Sequence, residues 1–199
     1  MSVRKMRVML LRIAFVPIVL AAAFVGHSWK LDSTPAYVFQ WLGYAFLIVG
    51  LGVRMWCTLY IGQRKSRMLV TTGPYSICRN PLYLGTFAVT AGVGLCFGNL
   101  VMSAAAILLM VPMHVVVTLA EEKHLLEKFG SSFEQYMREV PRFWIAPRRY
   151  RSPDPIDVSI NTVRRAMLEA VLVLLVPPLG AVVQLLQQQG IIPVLWQWA

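Results

Sequence analysis

Long apolar runs alternate with short polar stretches along the chain. Five of the runs approach the roughly 20 residues that a helix needs to cross a bilayer. They are Val8 to Val25, Tyr37 to Tyr60, Leu82 to Phe97, Leu100 to Ala120 and Ala166 to Leu186. The third is short, and a Gly98-Asn99 turn leads from it straight into the fourth, which predicts a tight helical hairpin. The fifth carries Pro177-Pro178 and is expected to kink there, because proline removes a backbone hydrogen bond. Between runs four and five, Leu125, Phe129, Phe133 and Met137 recur every fourth residue, with Leu126 and Tyr136 beside them. That is the pattern of an amphipathic helix lying against a membrane or a bundle. Gly130 interrupts it, and Ser131 with Glu134 has the spacing of a capping box. Two short helices broken at Gly130 are therefore expected, the second stopped by Pro141. The proline-rich residues from Arg148 to Asp157 read as an extended, lipid-facing linker. The expected fold class is all-α: a polytopic membrane helical bundle of about five transmembrane helices with short cytoplasmic amphipathic helices, forming a single domain over residues 1–199.

Composition agrees with a membrane setting. Hydrophobic residues make up 57% of the chain and charged residues 14%, well below the roughly one quarter charged of soluble domains. The formal net charge of +10 has a topological reading. Arg4, Lys5, Arg7 and Arg12 flank the first run. Arg54 closes the second, and Arg64, Lys65, Arg67 and Arg79 follow it. Lys123, Lys128, Arg138, Arg142, Arg148, Arg149, Arg151, Arg164 and Arg165 lie between the fourth and fifth. All fall on one side of the layout, with Lys30 alone on the other. The positive-inside rule places that side, and the N-terminus with it, in the cytoplasm. The C-terminus then lies opposite, where Trp196 and Trp198 suit an interfacial belt. No basic stripe interleaved with aromatics points to nucleic acid. Cys57, Cys78 and Cys96 form no Cys-x-x-Cys pair, which argues against a metal site and a disulfide framework. The first segment, with Ala21-Ala22-Ala23, also has some features of a signal peptide. The length of its apolar run favours a membrane span.

Two polar clusters are set into this apolar background. The first runs from Gly73-Pro74-Tyr75 through Arg79-Asn80-Pro81 to Tyr83 and Gly85. The residue before Pro81 is pushed towards an extended conformation, and Pro81 suits a first helical turn. The helix start offers free N–H groups and a positive dipole end to an anionic group. The plain alternative is a proline-initiated helix with interfacial tyrosines. The second cluster begins at Glu121-Glu122 and runs to Val140-Pro141-Arg142. Adjacent carboxylates on a helix point about 100° apart, so one can face the bundle and the other water. Arg142 carries a guanidinium fork suited to a carboxylate or phosphate, or is one more topological arginine. The hairpin between the clusters crosses the bilayer and returns, so both should meet at one membrane face. Polar groups near a membrane core are read as functional by default. His114, alone in the fourth run, is read as a packing residue in preference to a haem or metal ligand. Glu169 faces the bundle or reaches the interface. Gly43, Gly50 and Gly52 permit close helix contact.

The run Leu69-Val70-Thr71-Thr72-Gly73-Pro74-Tyr75, then Arg79-Asn80-Pro81-Leu82-Tyr83-Leu84-Gly85, then Glu121-Glu122, then Phe129-Gly130 with Tyr136 and Val140-Pro141-Arg142, resembles the isoprenylcysteine carboxyl methyltransferase and phospholipid methyltransferase superfamily. The resemblance covers roughly residues 62–144 and rests on order and spacing together. It implies a cofactor-binding core there, with 145–199 as linker and C-terminal helix. It also implies S-adenosylmethionine as cofactor, a lipophilic or lipid acceptor, and a cytoplasmic-side pocket. Its implied cofactor-contacting residues are Val70, Thr71, Gly73, Tyr75, Arg79, Asn80, Tyr83, Gly85, Glu121 and Glu122. Arg142, Glu122 and Asn80 are the candidate catalytic residues. Asn80 stands where the family's pattern has His, so a titrating role at that position is in doubt while a hydrogen-bonding role survives.

Three enzymatic readings and one other follow. The first is carboxyl O-methylation of an isoprenylcysteine-like substrate, whose ionised carboxylate needs no general base. The second is N-methylation of a phospholipid amine, which needs a base such as Glu122. The third is a membrane reductase using a nicotinamide cofactor, although no Gly-x-Gly-x-x-Gly fingerprint is present. The fourth is a non-enzymatic membrane binding or assembly protein.

Overall fold

In a computed structural model of the protein, residues 33–62, 68–98, 100–152 and 158–193 are described. All regular structure among them is helical. Helix α1 spans Thr34–Ile61, the single turn α2 Pro74–Ile77, α3 Pro81–Cys96, α4 Leu100–Phe129 and α5 Ser131–Glu139. A 3-10 turn, Pro147–Arg149, precedes α6 (Ile160–Leu174) and α7 (Val176–Gln188). Three helical stretches are long and apolar enough to cross a membrane: Thr34–Ile61, Ser103–Phe129 and Ile160–Gln188. Pro81–Cys96 is apolar but shorter. The expected first span, Val8 to Val25, lies outside the described residues, as do Trp196 and Trp198.

The bundle is organised around the antiparallel contact of α1 with α3, and glycine makes it close. A Cβ on Gly43 would stand 2.9 Å from the Gly92 carbonyl oxygen, and one on Gly92 would stand 2.8 Å from that of Gly43. Two turns along, Gly50 and Gly85 repeat the arrangement at 2.8 and 2.9 Å. Leu47, between the two glycines of α1, is fully buried. Where lipid surrounds helices, no hydrophobic force drives them together, and van der Waals contact between small residues does so instead. Gly52 has no neighbour at its Cβ position and takes no part. The hairpin from α3 to α4 closes as expected, with Gly98 at φ +64° and Ser103 packed on Gly94.

Four local expectations change. Helix α4 does not end at Ala120 but runs on unbroken to Phe129, so Glu121 and Glu122 sit inside a helix. The first amphipathic segment is its continuation. Its apolar face, with Leu125, Leu126 and Phe129, packs with Leu69 and Met137 around Phe133, Tyr136 and Val140. The capping box does not form: Gly130, at φ +53°, is the residue that starts α5, and no side chain caps it. The last span starts earlier than Ala166 and breaks into two helices at Leu175, just before Pro177-Pro178. Finally, the start of the proline-rich linker is not extended. It turns at Pro147–Arg149, and the backbone of Arg151 bonds to Gly73 and Ser76.

Candidate functional site

The segment 68–80 is held in place by backbone geometry. Gly73 adopts φ +61°, and a Cβ there would stand 2.1 Å from the Tyr60 ring, so only glycine lets the chain turn beneath that ring. Its N–H donates to the Arg151 carbonyl at 2.7 Å, and the Ser76 hydroxyl donates to the Gly73 carbonyl at 2.7 Å. Val70 packs with Cys57, Tyr60 and Tyr75, while Thr71 is half-buried beside it. Tyr136 of α5 donates its hydroxyl to the Tyr75 carbonyl at 2.7 Å. The two polar clusters are also joined along their backbones. Arg79 N–H donates to the Pro141 carbonyl at 2.9 Å, and the Asn80 side-chain amide donates to the Arg142 carbonyl at 3.3 Å. Asn80 precedes α3 and makes no side-chain cap; its amide holds the second cluster instead.

The two acidic residues have separate partners. Tyr83 donates its hydroxyl to Glu121 Oε2 at 2.8 Å, bridging α3 and α4. Glu122, only 8% exposed, lies between two arginines. Arg142 reaches its carboxylate with Nε at 3.1 Å to both oxygens and with Nη2 at 2.7 Å. Arg79 Nη1 lies 3.3 Å from Glu122 Oε1. The 100° between neighbouring helical positions thus sends one carboxylate to a tyrosine and the other to two guanidinium groups. Both oxygens of Glu122 already accept from Arg142, so its evident task is to order arginines. Arg142 keeps a side chain 40% exposed, against 12% for Arg79.

Burial sets the protonation of the loop groups. It pushes the Tyr75 phenol well above the usual tyrosine range, with Cys57, Tyr136, Glu121 and Tyr83 adding to the shift. It also raises Tyr136, with Cys78 next in effect, and the Cys78 thiol. All three are neutral hydrogen-bond donors near pH 7. The Tyr75 hydroxyl is buried with no hydrogen-bond partner, as is Arg79 Nε. Tyr75 lies within electrostatic reach of Glu121 and Tyr83. Buried polar groups are almost always paired, so these two donors, one near Glu121 and the other on the arginine that pairs with Glu122, stand out.

The geometry therefore brings together Tyr75, Arg79, Asn80, Tyr83, Glu121, Glu122 and Arg142. Gly73 and Val70 shape the loop from behind, against Tyr60. Gly85 sits on the opposite side of α3, where a Cβ would meet Arg54 Cγ at 2.8 Å and the Gly50 carbonyl at 2.9 Å. Its role is helix contact. His114, treated in sequence as a packing residue, is buried against the site: its ring stands edge-on to Tyr83 and Phe87, at centroid distances of 4.9 and 5.4 Å. Its Nδ1 is 2.8 Å from the Met110 carbonyl, which requires the proton on that nitrogen. Arg54 is more than a topological charge, since it hydrogen-bonds Thr86 of α3 and pairs with Glu169 of α6. Lone opposite charges in two apolar runs were the available sign of that pairing.

The profile of the phospholipid methyltransferase family matches residues 38–132. The chain is 37% identical over 163 residues to the nickel-cobalt-cadmium resistance protein NccN of Alcaligenes xylosoxydans xylosoxydans, covering 78% of this chain and 73% of that one. It is 34% identical over 163 residues to the cobalt-zinc-cadmium resistance protein CzcN of Cupriavidus metallidurans, covering 78% and 72%. The protein-S-isoprenylcysteine O-methyltransferase of Schizosaccharomyces pombe is 31% identical over 114 residues, 52% of this chain and 48% of that one. The chain belongs to the isoprenylcysteine carboxyl methyltransferase and phospholipid methyltransferase superfamily. No solved structure matches it. The family and the yeast relative point to a methyltransferase embedded in a membrane. Such enzymes generally use S-adenosylmethionine. The donor set fits that molecule: Glu121 offers acceptors for hydroxyl or amine, Arg79 Nε and the Tyr75 hydroxyl are unsatisfied donors, and Arg142 is accessible to a carboxylate. Among the described residues, no group of three or more His, Cys, Asp and Glu could hold a metal ion.

Proposed function

We propose that this protein transfers the methyl group of S-adenosylmethionine to the carboxylate of a lipophilic, isoprenylcysteine-like acceptor, at a site on the cytoplasmic face of the membrane. The observation that carries the reading is the 2.8 Å bond between Tyr83 and Glu121, which joins two clusters that the sequence separates by a whole hairpin. Bound there, S-adenosylmethionine would supply a methyl already activated on a sulfonium sulfur. Glu121, Tyr75, Tyr83 and Arg79 would hold it. Arg142, anchored on Glu122 and held at its carbonyl by Asn80, orients the acceptor carboxylate through its exposed edge. That carboxylate is ionised near neutral pH, so no proton has to be removed before its oxygen takes the methyl. Positioning is then most of the catalytic task. Asn80 suits such a site, because it positions without titrating. The acceptor's apolar tail would remain among the helices and lipid.

N-methylation of a phospholipid amine is the second reading, favoured by the family profile that matches residues 38–132. It requires a base, and Glu122 is occupied by arginines. The test is transfer of labelled methyl from S-adenosylmethionine, using purified protein with prenyl-cysteine analogues and with lipid extracts. Base-labile, volatile label on the prenyl-cysteine analogue is the expected outcome, lost in Tyr83→Phe and Glu121→Gln. Label confined to a lipid headgroup would replace the first reading with the second. Calorimetry finding unchanged cofactor affinity in both variants would reject this pocket.

A further inference from the structure

The segment after Arg142 straps the site loop. Ala146 N–H donates to the Ile77 carbonyl at 2.9 Å, Gly73 N–H to the Arg151 carbonyl at 2.7 Å, and Arg151 N–H to the Ser76 hydroxyl at 3.0 Å. All three bonds use backbone groups of the strap, so its side chains point elsewhere. Trp144 is 83% exposed, Ile145 and Tyr150 are exposed, and so are Arg148, Arg149 and Arg151.

The strap and the start of α6 both touch the end of α1. Tyr60, at the end of α1, bonds the Ser152 hydroxyl at 2.7 Å, and Trp56 packs on Tyr150 with ring centroids 5.9 Å apart. Two residues on, Thr162 of α6 fills the space that a Gly62 side chain would take. Arg164 and Arg165 of α6 are exposed there. Between residues 148 and 165 the chain carries five arginines against two aspartates, Asp154 and Asp157, which lie outside the described residues. Among the described residues, none of these arginines pairs with a carboxylate. Aromatic and aliphatic side chains interleaved with unpaired arginines match a bilayer interface, the rings among the upper acyl chains and the guanidinium groups at phosphate depth.

We propose that the strap and the first two turns of α6 form a binding surface for anionic phospholipid headgroups, and that lipid bound there holds the strap against the site loop. The site's loop is then ordered by the charge of the membrane around it. This stands apart from the methyl-transfer reading, because it concerns lipid binding and backbone order and needs no reaction to be observed.

The test uses the whole chain, titrated with phosphatidylglycerol or phosphatidylcholine and followed by native mass spectrometry. It is paired with hydrogen exchange in nanodiscs of each lipid. Phosphatidylglycerol is expected to be retained preferentially. At about fivefold for each basic residue at an anionic surface, the triple variant Arg148→Gln, Arg149→Gln, Arg151→Gln should lose roughly a hundredfold of that preference. The strap's bonds survive this change, since they are made by the backbone. Exchange at the amides of Gly73, Ala146 and Arg151 should be slower in phosphatidylglycerol for the native chain and indifferent to lipid in the variant. A triple variant within about threefold of the native preference overturns the proposal, given the size expected for three charges. So does an equal loss in the control Lys123→Gln, Lys128→Gln, Arg138→Gln, which removes the same charge elsewhere. Exchange at those three amides that ignores lipid charge in the native chain removes the coupling to the site.

Discussion

Replacing Glu122 by glutamine separates the tasks of the two neighbouring carboxylates. The side chain keeps its shape and one carbonyl oxygen but loses the charge that faces two arginines. Removing one partner of a buried ion pair costs about 3–5 kcal/mol. Two features of the structure reduce this. Arg142 is 40% exposed and can turn to water, and the amide oxygen still accepts a hydrogen bond. Arg79 cannot escape so easily, being 12% exposed with Nε already unpartnered. The net destabilisation should be about 2–3 kcal/mol. In a chain of 199 residues this corresponds to about 4–12 °C in the unfolding midpoint, at about 2–4 °C per kcal/mol. Glu121→Gln keeps an acceptor for the Tyr83 hydroxyl, so weakening that bond should cost about 1 kcal/mol. It should nonetheless abolish cofactor affinity, which Glu122→Gln should weaken only through the displacement of Arg142. The assay is thermal unfolding in one detergent, with calorimetric titration of S-adenosylmethionine beside it. The double variant Arg79→Gln, Glu122→Gln should recover part of the loss, because it removes the stranded charge. A midpoint for Glu122→Gln within about 1 °C of the native value would refute the division of labour, since a stranded buried charge cannot cost so little.

Gly92→Ala should destabilise the protein by about 1–3 kcal/mol, because its Cβ would press on backbone at 2.8 Å. Gly52→Ala, with open space at that position, should be neutral or slightly stabilising; thermal unfolding compares the two. Gly73→Ala should be strongly damaging, since both φ +61° and the Tyr60 ring oppose a side chain. Loosened protease protection of residues 68–80 would register it. Stability should fall as pH rises through the alkaline range. The folded-state pKa values of Cys78, Tyr75 and Tyr136 are raised by burial, so the folded chain keeps protons that the unfolded chain releases above about pH 9 for the thiol and about pH 10 for the phenols. That contribution is complete below the unfolded values and is lost as pH climbs towards the folded ones. Peptide mapping after iodoacetamide treatment should find Cys78 unmodified at about pH 8 until the protein is unfolded.

The apolar runs were legible because a bilayer demands them: the second and fourth lie within α1 and α4, the third ends one residue beyond α3, and Pro177-Pro178 follow a real helix break. The meeting of the two polar clusters was legible as well, since a hairpin that crosses and returns must bring its ends to one face. The pairings within the cluster were not. Tyr83 with Glu121, and Glu122 with Arg79 and Arg142, depend on which way each residue points around its helix, and that angle is set by how α3 packs on α1 and α4. Gly85 belonged to the family-like segment, yet its position on α3 turns it towards Arg54. The strap over Gly73 and Ser76 had no sign in the sequence, because its bonds are made by backbone groups that every residue carries.

By itself, then, the sequence determined that this chain suits a membrane, where its long apolar runs lie, and that two polar stretches share a face, because hydropathy and proline act locally. Only the tertiary structure decided which carboxylate braces arginines and which takes the Tyr83 hydroxyl. Those choices rest on distances between residues far apart in the chain, and helix packing alone sets them.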